Sequence, residues 1–117
     1  MSFQKLRVYQ RAQAMFPEIY REVRSWPEKD QRELGSQLIR AANSVHSNIA
    51  EGYGKSWKDF ARYLGQSLTS CDEVKSHSTD ARNVGLLAEE RYQYFLGEYV
   101  AIGKQLYRLR EQVRVNR

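Results

Sequence analysis

The spacing of apolar residues near the end of the chain restricts the fold more than any other feature of the sequence. Apolar side chains recur there every three or four residues, at Tyr92, Phe95, Tyr99, Ile102, Leu106, Leu109 and Val113. This period matches the turn of an α-helix and places all of these side chains on one face. Because such a face is stable in water only when it is covered, the pattern predicts a helix packed in a bundle.

Three earlier segments repeat the same period, and none alternates as a half-buried strand does. The predicted helices span residues 4–24, 31–53, 57–84 and 88–113. Because the connections between them are short, consecutive helices are expected to run antiparallel. The sequence therefore predicts an all-α fold, an antiparallel up-down-up-down four-helix bundle that occupies residues 1–117 as a single domain.

Proline, glycine and hydroxyl residues mark the expected helix ends. Pro27 is expected to end the first helix, because the residue before a proline avoids the helical conformation. Gly85 suits the left-handed position that follows a helix. The second helix has two candidate starts, Asp30 and an N-cap at Ser36, and the sequence leaves both open. Pro17 lies inside the first helix, where its missing N–H predicts a kink or a division.

The turn between the second and third helices contains a Gly-x-Gly pair within the stretch SNIAEGYGKSWKDF. A phosphate-binding P-loop needs a longer glycine spacing and a preceding strand, so Gly52 and Gly54 do not form one. Gly54 is instead expected to stop the second helix. Ser56 is expected to cap the third helix, with Asp59 as its partner in a capping box.

Two polar residues, Asn48 and Glu51, lie among small apolar residues just before this turn. Small residues allow a neighbouring helix to approach closely. The two side chains therefore either hydrogen-bond to another helix or subunit and fix the helix register, or face water. The predicted structural residues around the turn are Asn48, Glu51, Gly52, Gly54 and Ser56.

The chain carries a net charge of +5, and the distribution of that charge predicts a polarised molecule. In an up-down-up-down bundle, residues 1–13, 45–64 and 104–117 share one end, with net charges of +3, +1 and +4. The remaining residues sum to −3. A basic end attracts nucleic-acid phosphates with little sequence preference. The candidate contacts are Arg7, Arg11, Lys55, Lys58, Arg62, Lys104, Arg108, Arg110 and Arg114.

Other interpretations of this end stay open. Cations near helix C-termini also complement the helix dipole and keep a surface soluble. Tyr53 and Trp57, beside the basic residues of the turn, stack on bases, or they cover the core or a subunit contact.

Residues that carry catalysis are few and scattered. The only two histidines, His46 and His77, fall on different helices. Glu73, His77 and Asp80 share a helical face, but a solvated charge pattern is a more common interpretation of this spacing than a metal site. Cys71 falls in an apolar row, which favours an inert buried thiol. A protein that is not an enzyme and needs no cofactor or metal is expected; a metal or thiol enzyme using His77 or Cys71 is the minor alternative.

Signals for membranes and secretion are missing from the sequence. No apolar run reaches the ~20 residues of a membrane span, and the N-terminus lacks the apolar region of a signal peptide. A chain with one cysteine cannot form an internal disulfide. A cytoplasmic protein without a membrane partner is therefore expected.

Two runs in the second helix carry a family resemblance. SQLIRAANSV at residues 36–45 and SNIAEG at residues 47–52 resemble the signature of four-helix-bundle proteins encoded in intervening sequences of bacterial large-subunit ribosomal RNA genes. The accessory variability determinant of diversity-generating retroelements belongs to the same family. The similarity extends to LRVYQRA at residues 6–12 and KDFARYL at residues 58–64.

The resemblance implies a closed four-helix protomer that assembles into a homopentameric barrel. For the retroelement member it also implies binding to nucleic acid and to a reverse transcriptase. The chain departs from the family pattern at His46, Thr69 and Ala88, where proline, glycine and a capping hydroxyl are common, and Pro17 is unusual in the first helix.

Two functional hypotheses follow. The first is a non-enzymatic oligomeric bundle that binds RNA or DNA through its basic end, as an accessory to a ribosomal RNA or reverse-transcriptase system. The second is a protein-interaction scaffold with no direct nucleic-acid contact, which the eight tyrosines suggest. Salt-dependent binding to mixed-sequence nucleic acid separates the two.

Overall fold

The computed structural model describes residues 2–116, and helices joined by short turns make up this range. A 3₁₀ turn, Phe3–Lys5, precedes the first long helix, α1, at Arg7–Arg24. The second helix, α2, starts with a single α-helical turn, Glu28–Asp30. It continues through a π-helical segment, Gln31–Gly35, and becomes a regular α-helix over Ser36–Gly52.

The two remaining helices are the longest in the molecule. Helix α3 spans Trp57–Asn83, and helix α4 spans Glu89–Val115. No strand occurs between residues 2 and 116, and the predicted all-α bundle of helices is confirmed. None of the helices in this range combines the length and apolar character needed to cross a membrane.

Each helix packs mainly against its neighbours along the chain. Contacts are most extensive between α2 and α3 and between α3 and α4; α1 packs on α2 and makes a smaller contact with α4. The bundle measures 47 × 21 × 20 Å. The apolar row predicted for the last helix lies in the core, with Leu109 and Val113 half-buried at its end. Its buried members are Tyr92, Phe95, Tyr99, Ile102 and Leu106.

Ion pairs join the outer surfaces of α1 and α4. Arg11 Nη2 lies 2.7 Å from Glu98 Oε2, and Arg91 Nη2 lies 2.7 Å from Glu18 Oε1. A second carboxylate, that of Glu22, lies 3.7 Å from Arg91 Nε. The contact between these two helices is therefore an apolar seam bordered by charge pairs.

Both predicted starts of the second helix are wrong. The helix begins after Pro27, whose backbone is extended, and passes through Asp30 and Gly35 without interruption. A Cβ on Gly35 would lie only 2.5 Å from Val23 Cγ1, so this glycine permits the close approach of α1 and α2. Ser36 Oγ donates to the Arg32 and Glu33 carbonyls and does not cap a helix.

Pro17 does not divide the first helix, because α1 runs unbroken from Arg7 to Arg24. Pro17 is exposed, so water can bond the carbonyl oxygen that its missing N–H leaves free. Gly85 adopts the predicted left-handed conformation, with φ of +83°. The N–H groups of Gly85 and Leu86 donate to the carbonyls of Arg82 and Ala81, the pattern of a Schellman motif.

Candidate nucleic-acid interface

Two cations of helix α4, Lys104 and Arg108, face solvent. Its buried row includes Ile102 and Leu106, which fix the rotation of the helix against the core. Lys104 and Arg108 follow these residues by two positions each and are exposed one turn apart. Neither cation has an acidic partner within 4.0 Å among residues 2–116.

A groove of about 410 Å³ runs between α3 and α4 beside these cations. Its lining combines an apolar floor with a charged rim. The apolar and small lining residues are Leu68, Cys71, Val100, Gly103 and Tyr107. The charged lining residues are Asp72, Lys75, Lys104 and Arg108. Lys75 Nζ lies 3.2 Å from Asp72 Oδ1, so Lys104 and Arg108 leave the rim with a positive excess.

A second groove, of about 310 Å³, lies between α1 and α4. Arg7 and Val8 line it from the start of α1, and Gln105 and Leu109 line it from α4. Arg108 lines this groove as well as the first one. Arg7 of α1 and the half-buried Lys75 of α3 therefore line grooves on either side of Arg108.

The turn between α2 and α3 is built by two glycines and a serine. Gly54 has φ of +86°, a conformation that favours glycine. Ser56 Oγ accepts a hydrogen bond of 3.2 Å from the Asp59 N–H at the first turn of α3. Gly52 is buried, and a Cβ there would lie 2.6 Å from Tyr63 Cβ. The end of α2 can therefore approach α3 only because residue 52 has no side chain.

The cations of this turn lie against aromatic rings. Arg62 and Lys55 lie 4.5 and 6.0 Å from the centroid of Tyr63, within cation–π range. Lys58 Nζ lies 5.8 Å from the Trp57 ring. The ring of Tyr53 packs edge-to-face on Phe60 at 5.8 Å. This packing favours the core-covering role of Tyr53 over base stacking.

Four of the nine candidate cations lie beside a carboxylate. Arg11 pairs across helices with Glu98 at 2.7 Å and has the closest partner of the four. The other three have partners within one helical turn: Lys55 with Glu51 at 4.0 Å, Arg62 with Asp59 at 3.6 Å, and Arg114 with Glu111 at 3.1 Å. Their charge toward a ligand is reduced relative to that of Arg7, Lys58, Lys104 and Arg108.

Arg110 differs from the other candidates because it is only half exposed. Its Nη1 lies 3.4 Å from the position of a Cβ on Gly65, which places α4 against the start of α3. The guanidinium carbon lies 5.7 Å from the Tyr107 ring. Arg110 therefore lies between α4 and the N-terminal half of α3. Arg117, which contributes to the charge of the last segment, lies outside the described residues.

Asn48 and Glu51 have separate roles. Asn48 Nδ2 donates to the carbonyl and the hydroxyl of Ser44, at 2.8 and 2.9 Å, within its own helix. The Ser44 hydroxyl in turn accepts from Ser70 Oγ on α3 at 2.8 Å. Asn48 thus reaches the neighbouring helix through Ser44. Glu51 is exposed and pairs with Lys55 at 4.0 Å.

The titratable core groups are held in their neutral forms. Burial raises the pKa of the Cys71 thiol to about 12, although Lys75 opposes the shift. Burial also raises the pKa of Tyr99 and lowers the pKa of His46, whose ring packs edge-to-face on Tyr9 and Phe16. Between residues 2 and 116, no three His, Cys, Asp or Glu side chains converge as metal ligands.

Two residues of the interface, Lys75 and Tyr107, are not predicted from the sequence. Lys75 lies in the segment with a net negative charge, and Tyr107 lies between predicted cations without being predicted itself. Pairing the apolar rows of the last two helices places Leu68 near Gly103, and Lys75 and Lys104 then line the groove along the same seam. Tyr107 falls outside the apolar row of its helix. This position alone predicts that its ring is exposed.

Comparison with known proteins identifies one family that the chain matches over most of its length. The model of the family described as 23S rRNA-intervening sequence protein matches residues 4–108 of the 117-residue chain. The match includes all residues that line the groove between α3 and α4, and the whole α2–α3 turn. No curated protein matches the chain significantly.

Proposed function

The chain belongs to the 23S rRNA-intervening sequence protein family, and on that premise we propose that it is a non-enzymatic protein that binds RNA or DNA. The binding surface consists of cations on α1, α3 and α4. It contacts phosphates and gives affinity with little sequence preference. In this proposal the protein acts as an accessory to a ribosomal RNA or reverse-transcriptase system.

The position of Arg108 is the observation that carries the proposal. Arg108 lines one groove with Arg7 and a second groove with Lys75 and Lys104. Asp72 is the one acidic residue that lines either groove within the described chain. A cluster of cations with few acidic neighbours is the electrostatic footprint of phosphate binding.

The order of contacts between helices supports the antiparallel arrangement on which the basic end depends. Along α1, Arg11 pairs with Glu98, and the later Glu18 pairs with the earlier Arg91. Residue numbers therefore increase along α1 as they decrease along α4, as in two antiparallel helices. In this arrangement the start of α1, the α2–α3 turn and the end of α4 share one end of the bundle.

The absence of enzymatic activity is proposed from the state of the nucleophile. Cys71 is 1% exposed, and its raised pKa keeps the thiol protonated at neutral pH. A buried thiol of this kind behaves as a small apolar side chain. We expect no cofactor, and a cytoplasmic location.

Assembly into a homopentamer and kinship with the retroelement accessory determinant are further parts of the proposal. Tyr20 on α1 and Val84 at the end of α3 leave apolar surface exposed on the protomer. Subunit contacts would cover some of this surface. Light scattering should then give a mass of about five times the 13.8 kDa of one chain. A mass of one chain would contradict the pentamer.

Fluorescence anisotropy with mixed-sequence RNA and DNA tests the binding proposal. We expect binding at about 50 mM salt and a loss of roughly a thousandfold in affinity at about 200 mM, as for proteins with several phosphate contacts. A lack of binding to both probes at the lower salt concentration would contradict the proposal. Capture of one stoichiometric protein partner that persists after nuclease treatment would then support the scaffold alternative.

A further inference from the structure

We propose that the groove between α3 and α4 holds one unpaired nucleobase, so that the protein prefers single-stranded to duplex nucleic acid. The base stacks on Tyr107, and the phosphates on either side of it contact Lys104 and Arg108. This inference rests on the proposed function and adds a strand preference and a base-binding site to it.

The shape and lining of the groove suit a flat apolar ligand. Its volume of about 410 Å³ falls within the ~300–1,000 Å³ of small-molecule sites. Leu68, Val100 and Gly103 contribute an apolar floor, and Gly103 leaves room that any side chain would occupy. A nucleobase is apolar on its faces, so this lining matches a base better than it matches a phosphate or sugar.

Tyr107 supplies an aromatic surface at the mouth of the groove. Tyr107 is 54% exposed, whereas Leu106 and Ile102 of the same helix are fully buried. The Arg110 guanidinium lies 5.7 Å from the ring centroid and restrains the ring through a cation–π contact. An exposed tyrosine beside cations is the usual platform for an unpaired base.

The charges around Tyr107 select an anionic ligand. Lys104 precedes the ring by three residues and Arg108 follows it directly, about 6 Å apart along the helix axis at 1.5 Å per residue. A second copy of this chain seated in the groove would bury both cations, which is costly without acidic partners. A nucleotide brings the matching negative charge with it.

Strand preference follows from access to the base face. In a duplex each base is stacked on its neighbours, and removing one costs a few kcal/mol. Bases of a single strand are free to turn outward and stack on an aromatic side chain. Cation contacts alone bind both forms, whereas the groove adds affinity for the single strand only.

A single-stranded oligonucleotide with one internal 2-aminopurine, and the same strand in a duplex, test this inference. The wild-type chain is expected to bind the single strand at least tenfold more tightly than the duplex and to change the 2-aminopurine fluorescence. Tyr107→Leu should weaken single-strand binding by roughly five- to a hundredfold, the range for one lost stack. It should leave duplex binding unchanged.

Two further variants keep the result interpretable. Tyr94→Leu removes a ring that is 41% exposed on the same helix but outside the groove, and should leave both affinities unchanged. Gly103→Leu fills the groove, and its Cβ would meet Leu68 at an ordinary 4.0 Å, so it should fold and reproduce the loss caused by Tyr107→Leu. Circular dichroism verifies that each variant is folded.

The outcomes separate the two proposals. Equal affinity for single strand and duplex, unaffected by Tyr107→Leu and Gly103→Leu, would overturn the base site and leave phosphate binding standing. Failure of the wild type to bind either probe would overturn both. A groove variant that lowers the mass in solution while strand preference persists would assign the groove to a subunit contact and overturn the base site.

Discussion

At the scale of single residues, glycines set how closely the helices approach. A Cβ on Gly52 would lie 2.6 Å from Tyr63 Cβ, an atom too near the backbone of α3 to move aside. Gly97, in the exposed middle of α4, has nothing within 4 Å of the same position. A methyl group added at residue 52 would clash with α3, whereas one added at residue 97 would meet no other atom of the described chain.

Substitution of these glycines tests that difference. Gly52→Ala should destabilise the protein by about 1–3 kcal/mol, because α2 must shift away from α3. Gly97→Ala should stabilise it by about 0.5–1 kcal/mol, because alanine loses less backbone entropy in a helix. Urea unfolding measures both free energies. Equal effects of the two changes would show that the α2–α3 contact is loose.

Cys71 gives the stability a dependence on alkaline pH. Burial raises the pKa of its thiol from its ordinary 9.0 to about 12, so the folded state holds the proton more tightly than the unfolded state. This contribution is fully present below pH 9.0 and is lost as the pH rises toward about 12. Above pH 9.0, the unfolding free energy should fall more steeply in the wild type than in Cys71→Ala, by up to about 1.4 kcal/mol per pH unit.

Urea titrations over this pH range measure the two slopes. Tyr99 is present in both proteins, but Cys71 contributes to its raised pKa, so the difference between the slopes includes this coupling. Parallel slopes would mean that the thiol is accessible to water in the folded state.

At the scale of helices, apolar spacing predicts much more than local end signals do. The row through Tyr99 and Ile102 is buried as its period requires, because a whole helical face depends on many residues at once. Gly35 and Ser36 resemble a stop and a start, yet α2 passes through both. Gly35 serves packing against Val23, a contact between helices that no local pattern reveals.

Two serines at apparent helix starts provide a matched test of this distinction. Ser56 Oγ accepts a hydrogen bond from the Asp59 N–H, so Ser56→Ala should cost about 0.5–2 kcal/mol of stability. Ser36 Oγ donates to carbonyls inside a continuous helix, so Ser36→Ala should cost less than about 0.5 kcal/mol. Thermal unfolding of both variants measures the costs. A larger cost at Ser36 would argue for a helix start there.

At the scale of the whole molecule, charge is concentrated where the helix ends meet. Counting charges along the sequence identifies Arg7 and Arg108 as candidates, and the fold brings both to one groove. The same counting includes Arg11, which pairs with Glu98 on another helix, and omits Lys75. Charge sums along the sequence predict neither the pairing of Arg11 nor the position of Lys75, because both depend on which residues face each other across helices.

The salt dependence of binding tests the proposed interface most directly. Lys104→Gln/Arg108→Gln removes two cations of the interface, and Lys29→Gln/Arg40→Gln removes two exposed cations elsewhere. The logarithm of the association constant for a single-stranded oligonucleotide is measured against the logarithm of salt concentration. For the first variant the slope should be shallower by about 1.4, or ~0.7 for each lost phosphate contact, with no change for the second. Identical slopes for the two variants would contradict an interface centred on Arg108.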